Sequence, residues 1–382
     1  MNDFSIGANC WVKPRQIKDV EEYLMAINQI RTAKTGFVNY MESNLFFDEA
    51  CQCLINAINL FQYGYFDAAF YMLRQSIETS IGTLYLVSNK DKIKNWENLE
   101  RGFEQGKMAE WLRNNEKSFY EMKELMPDFF QRIRDDQETM NKYVHKQGYQ
   151  SFYTIVRNKK DEESWLNNTQ CEFERILCDS IGAVTVYRLA IDAFPVALAE
   201  EDLALRSPDL ITEGLSIDFL EKYIGKDSIE GYKQTQIYKD TVDWLNSLPK
   251  QSEPVYYLIH YQIVNRKFHD DYVKQWNLLG FDDRLALQLF FICKKVCRIY
   301  VNGFIAYSSD TNSLNSEIVI GVSYFKEIFS NSPSENNLKY KKSYLSRIKI
   351  GNDYTYLEHN EELTSDEIKQ YNNYVLNLLS KK

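Results

Sequence analysis

The feature that most constrains this chain is a pair of apolar stripes at helical spacing, separated by one glycine. Over 43–63 (SNLFFDEACQCLINAINLFQY), Leu45, Ala50, Leu54, Ala57, Ile58 and Phe61 recur as one helix face, while Asp48 and Glu49 fall off it. Gly64 can take the left-handed conformation that ends a helix. A second stripe follows at once: Phe66, Phe70, Leu73, Ile77, Ile81 and Leu84. Asp67 stands in its first turn, where a carboxylate meets the positive end of the helix dipole. So short a connection predicts an antiparallel hairpin in which each helix buries its stripe on the other.

The rest of the chain continues in the same style. Glycine (15) and proline (7) are scarce in 382 residues, which favours long helices over many short strands. Helices are expected over 16–35, in several short pieces over 93–160 broken near Pro127 and Gly148, and over 164–195, where Phe173, Leu177, Ile181, Val184 and Ile191 share a face. Ser207-Pro208 reads as a cap and first turn that opens a new helix, and the length exceeds one ordinary core. The expected division is therefore a helical bundle over 1–203 and a second helical domain over 204–382. In the latter, helices are expected at 216–224, 228–247, 253–267, 270–278 and 282–308. A last helix opens at the capping-box pattern Thr364-Ser365-Asp366-Glu367. The segment 345–357 (LSRIKIGNDYTYL) reads as a small β-hairpin, so the fold class is all-α, two bundles, with that one exception.

Charge and composition narrow the function. The net charge of −9 argues against wholesale attraction to nucleic acid or an anionic membrane and confines such contact to local patches. Seven cysteines without a CxxC pair, and an N-terminus (MNDFSIGANCWVKPRQ) unlike a signal or transit peptide, point to reduced thiols and a cytoplasmic location. The most apolar run, LALQLFFICKKVCRIYVNGFIAY, carries Lys294, Lys295 and Arg298 and is read as a core helix rather than a membrane span. No HExxH, GxSxG, P-loop or GxGxxG pattern occurs. His269-Asp270-Asp271 is read as a helix start with acids in its first turn, so no metal and no cofactor are expected.

The hairpin has a further content. Ala57 and Leu60, then Gly64-Tyr65-Phe66-Asp67-Ala68-Ala69, then Leu73-Arg74-Gln75-Ser76-Ile77-Glu78, form a pattern that resembles the HEPN superfamily of helical nucleotide-binding domains, across residues 40–200. The resemblance implies a helical bundle that binds or cleaves RNA, in the setting of antiphage or toxin–antitoxin defence. Its ribonuclease members carry an Arg, a polar residue and a His four to six residues after the Arg. Here Asn141-Lys142-Tyr143-Val144-His145 supplies the His and the polar residue, which makes His145 and Asn141 the candidate catalytic pair for metal-independent cleavage. Glu138, Thr139 and Met140 stand where the Arg would be, which tilts the reading towards binding.

Two basic islands point to RNA independently. Over 139–160, Lys142, Lys146, Arg157, Lys159 and Lys160 interleave with Tyr143, Tyr149, Phe152 and Tyr153, and no acid intervenes. Cations for phosphates beside aromatic faces for bases are how single strands are commonly held. The second island, 338–349, includes Lys341 and Lys342. Arg74 and Glu78, four apart, form with Asp67 and Tyr71 a polar strip that is expected to line a ligand cleft. Two other classes remain open on the residues alone: a non-enzymatic interaction subunit that buries its aromatic faces against a partner or a second copy, and a nucleotide sensor with a pocket between helices.

Overall fold

The computed structural model describes residues 14–149, 152, 162–208, 210–301, 305–309, 344–350, 353–359 and 361–380. Contacts divide the chain into two compact units, Met1–Leu248 and Pro249–Lys382.

The first unit is built around the expected hairpin, α2 (Ser43–Gln62) and α3 (Phe66–Ser88), preceded by α1 (Val20–Thr32). The turn between them is a Schellman cap. Gly64, at φ 85°, donates to Phe61 O, and Tyr65 donates to Leu60 O. Of the first stripe all but Leu45 are buried, and of the second all six are. Four further helices follow: α4 (Ile93–Glu97), α5 (Gln105–Asn115), α6 (Lys117–Leu125) and α7 (Pro127–Val144). Pro127 starts α7 rather than breaking a helix, because the first helical position needs no N–H.

The long helix α8 (Glu162–Leu189) is the axis of the unit. Every residue from Asp179 to Ala197 is buried, so this stretch is enclosed all round. Phe173 stacks on Phe61 at 4.0 Å and meets Phe70 edge-on at 5.6 Å, which locks α8 onto the hairpin. Arg188, 2% exposed, donates from Nε and Nη2 to the Ala33 carbonyl and pairs with Asp192 at 3.6 Å.

The division between units falls 45 residues past the expected 203/204 because the next helices complete this same core. Two single turns, α9 (Phe194–Ala197) and α10 (Glu201–Ala204), lead to α11 (Ile217–Tyr223), α12 (Lys226–Tyr232) and α13 (Gln236–Ser247). Phe219, Leu220, Tyr223, Ile229, Tyr232, Tyr238 and Leu245 join the cluster that contains the hairpin. Gly182 of α8 lies so close to the Tyr223 carbonyl that a Cβ would overlap it. Ser207-Pro208 opens no helix. The stretch expected as one helix over 228–247 breaks at 233–235, where the Thr235 hydroxyl caps α13 by accepting from Tyr238 N.

The second unit corrects the all-α expectation. Its helices are α14 (Glu253–Tyr261), α15 (His269–Lys274) and α16 (Phe281–Ile292). The run expected as one helix over 282–308 then turns into strands β1 (Val296–Val301) and β2 (Ile305–Ser308). The expected hairpin is β3 (Tyr344–Ile350) with β4 (Asp353–His359). The four strands make one antiparallel sheet, order β2-β1-β4-β3, with Ile299 opposite Leu357. VCRIYV is rich in β-branched and aromatic residues, and pairing with β4 decides its conformation where apolarity alone does not. Ile299 and Leu357 pack with Leu285, Leu289 and Phe290 of α16. The final helix, α17 (Ser365–Ser380), starts with the expected box: Glu367 N donates to the Thr364 hydroxyl and Thr364 N to the Glu367 carboxylate. No described helix of either unit is long and apolar enough to cross a membrane.

Candidate functional site

The site is made where α7 ends beside the first half of α3. A second Schellman cap closes α7: Lys146 N donates to Tyr143 O, and Gln147 N donates to Lys142 O. Lys146 takes the left-handed conformation, at φ 52°, which costs a non-glycine residue about 1 kcal/mol. Its ammonium pairs with Asp67 in the first turn of α3, so the two helix ends are tied together. Tyr143 fixes the same junction from inside. Its ring stacks on Phe70 at 4.0 Å and its hydroxyl donates to Glu172 of α8 at 2.6 Å. Burial, reinforced by Glu172, pushes that hydroxyl well above the ordinary tyrosine range.

This clamp presents His145, exposed at the end of α7, to α3. Arg74 Nη1 lies 3.2 Å from His145 Nε2. A guanidinium only donates, so Nε2 accepts and the ring is neutral with its proton on Nδ1. Glu78, one turn on, accepts from Arg74 Nε at 2.6 Å, and both side chains are about three-quarters buried (24% and 22% exposed). The carboxylate therefore orients the guanidinium edge-on towards the imidazole. Asn141 shares the α7 face of His145, one turn earlier, and its Oδ1 is shut off from solvent with no hydrogen-bond partner among the described residues. Gln137, one turn earlier again, has its Nε2 in the same condition.

The structure thus brings together four of the expected residues, His145, Asn141, Arg74 and Glu78, and adds Asp67 and Gln137. The arginine that the local sequence lacks comes from another helix. Arg132 is taken by Asp179 at 3.1 Å and plays no part. Tyr71 is exposed on α3 and makes no hydrogen bond among the described residues. Lys142 is exposed, whereas Lys146 is neutralised by Asp67. Tyr143 is a packing residue, not a free stacking face; Tyr149 is 76% exposed, with Phe152 edge-on at 5.8 Å. Arg157, Lys159, Lys160, Lys341 and Lys342 lie outside the described residues.

Other chemistries find little support. Burial pushes the Cys51 thiol up to about 12 and Cys53 up to about 11, which removes their thiolates at neutral pH. Among the described residues, no group of three or more His, Cys, Asp or Glu could hold a metal ion. His269 contacts Asp270 and the edge of Phe291, and Asp270 and Asp271 occupy the first turn of α15.

A family model described as a family of unknown function (DUF5677) matches residues 43–170, the stretch that carries α2 to α7, the start of α8 and all of this cluster. No curated protein and no solved structure matches the chain.

Proposed function

We propose that this chain is an RNA-directed protein in which Arg74, Glu78 and His145 handle a phosphodiester, and that it cleaves RNA without a metal as the effector or a subunit of an antiphage or toxin–antitoxin system. The observation that carries the reading is the 3.2 Å contact between Arg74 Nη1 and a neutral, exposed His145. It puts a fixed cation and a base within reach of one phosphate, which is the minimum that RNA transesterification needs. Arg74, steadied by Glu78, transfers its donors to the non-bridging oxygens of an incoming phosphodiester. His145 Nε2, released, takes the proton of the 2′-hydroxyl. The 2′-oxygen attacks phosphorus, the bond to the 5′-oxygen breaks, and the products are a 2′,3′-cyclic phosphate and a 5′-hydroxyl end that receives the proton. Lys142 and Tyr149 stand beside the cluster as a phosphate contact and a base-stacking face. The resemblance to HEPN domains supports the same reading.

The test is cleavage of labelled single-stranded RNA in EDTA by the full chain and by His145→Ala and Arg74→Ala. Loss of at least a hundredfold in both, with RNA binding kept in His145→Ala, is expected. Undiminished cleavage in His145→Ala refutes the catalytic role. RNA binding without cleavage in any form leaves a binding module. A non-enzymatic interaction subunit is the second reading, favoured by Met25, Val38 and Leu45, which expose 68%, 83% and 73% of their surface on α1, α2 and the turn between them. A defined oligomer by light scattering, together with no affinity for RNA, selects it.

A further inference from the structure

The first unit contains a cavity of about 510 Å³ that has no part in the cluster above. Its wall includes Leu84 and Val87, which lie about 15 Å or more farther along α3 than Arg74. The remaining wall comes from the start of α6, the stretch from Ala190 to Phe194, the face of α13 and the turn at Phe37–Tyr40.

Two properties of the lining define what it can hold. The first is aromatic. Phe194 is buried, with Phe37 on one side at 5.5 Å and Trp244 edge-on at 5.7 Å. Phe37 and Trp244 keep 46% and 45% of their surface open, so ring faces remain available to a guest. The second is charge. Glu116, Glu121, Asp192 and Asp240 all line the cavity, and the one cation in the lining is Lys117, 3.6 Å from Glu121.

Asp192 singles the cavity out from an ordinary acidic surface. Its side chain is 0% exposed; Oδ1 accepts from Phe194 N at 2.9 Å, while Oδ2 accepts no hydrogen bond among the described residues and has Arg188 Nη2 at 3.6 Å. A buried carboxylate oxygen with unused acceptor capacity, in a wall of aromatic faces and further carboxylates, calls for a donor that carries positive charge. The same excess of carboxylates repels phosphate, which excludes nucleotides and RNA from this cavity.

We propose that this cavity binds a small organic cation with an apolar body, of the aliphatic polyamine class. Its ammonium groups would face the carboxylates at Glu121, Asp240 and Asp192, and its methylene chain would lie on Phe37 and Trp244. Aromatic faces add cation–π attraction to the ion pairs. Phe37 and Trp244 stand at opposite sides of Phe194, and the carboxylates are spread over α6, α13 and the end of α8, which suits several charges along a chain better than one compact ion.

The test uses the full chain and spermidine, by isothermal titration calorimetry at fixed total ionic strength, with benzylamine, magnesium chloride and AMP as separate titrants. Saturable one-site binding of spermidine is expected, weakened at least tenfold in Trp244→Ala and in Glu121→Gln/Asp240→Asn. Asp240 and Trp244 are exposed, so these variants keep the fold, which circular dichroism verifies. Benzylamine binding tighter than spermidine overturns the aliphatic class. Absence of saturation, equal heat with magnesium, binding of AMP, or unaltered affinity in both variants overturns the site.

Discussion

Replacing Asp136 with asparagine should stabilise the first unit, and by an amount that grows with pH. Asp136 sits on α7 with 1% of its surface exposed, facing α8. Its Oδ1 accepts from Arg175 Nη1 at 2.6 Å, and its Oδ2 has no hydrogen-bond partner among the described residues. Arg175 also reaches Asp179 Oδ2 at 3.2 Å, and Arg132 holds the other oxygen of Asp179. Two carboxylates thus share one buried cation. Burial, opposed by the Arg175 hydrogen bond and reinforced by Asp179, pushes the Asp136 carboxyl from 3.8 up to about 7. Below the ordinary carboxyl value both folded and unfolded chains hold the proton, and this group has no pH effect. Between about pH 4 and 7 the unfolded chain gives up the proton and the folded chain keeps it. Stability therefore falls as pH rises through that window. A rise of this size corresponds to about 4 kcal/mol lost by pH 8. Asparagine keeps an acceptor for Arg175 without the charge, at a cost of about 1 kcal/mol for the weaker bond. Asp136→Asn should then gain about 3 kcal/mol over the parent chain at pH 8 and nothing at pH 4. Urea unfolding followed by circular dichroism at pH 4, 5.5, 7 and 8 reads this directly. A difference between the two proteins that is independent of pH, or a variant weaker at pH 8 than at pH 4 relative to its parent, refutes the argument.

Two further changes test the packing of each unit. Gly182→Ala places a methyl group into the Tyr223 carbonyl and should cost about 3 kcal/mol by forcing α8 and α11 apart, visible as a lower urea midpoint of the first unit; a change below 0.5 kcal/mol would show that the helices have room. Arg266→Ala removes donors to the carbonyls of Phe290, Cys293, Lys294 and Val296, the end of α16 and the start of β1, and should cost the second unit about 3 kcal/mol in thermal or urea unfolding. An Arg266→Lys variant as stable as the parent would show that charge near the helix end, rather than the planar fork, is what matters.

Much of the first unit is legible in the order of residues because its elements are set by local spacing. The two stripes of the hairpin, the left-handed Gly64 and Asp67 in the first turn lie within a few residues of one another, and each needs only helix geometry to be understood. The capping box at Thr364 is legible for the same reason. Tyr143 shows the limit. Among lysines and other aromatics it reads as a stacking face, yet it is spent on Phe70 and Glu172, partners 73 and 29 residues away in the chain.

The sequence by itself determined that residues 43–88 form an antiparallel helical hairpin, that His145 follows at the end of a helix, and that the chain is mainly helical. Three things were decided only by the tertiary structure. The run after Ile292 became strands because β4 was there to pair with it. Helices α11 to α13 joined the first unit because α8 needed apolar cover on every side from Asp179 onward. His145 gained its arginine from α3, 71 residues earlier, because the Lys146–Asp67 pair and the Tyr143–Phe70 stack hold two helices together at that point. In each case the deciding contact joins residues far apart in the chain, and no spacing rule along one segment can express it.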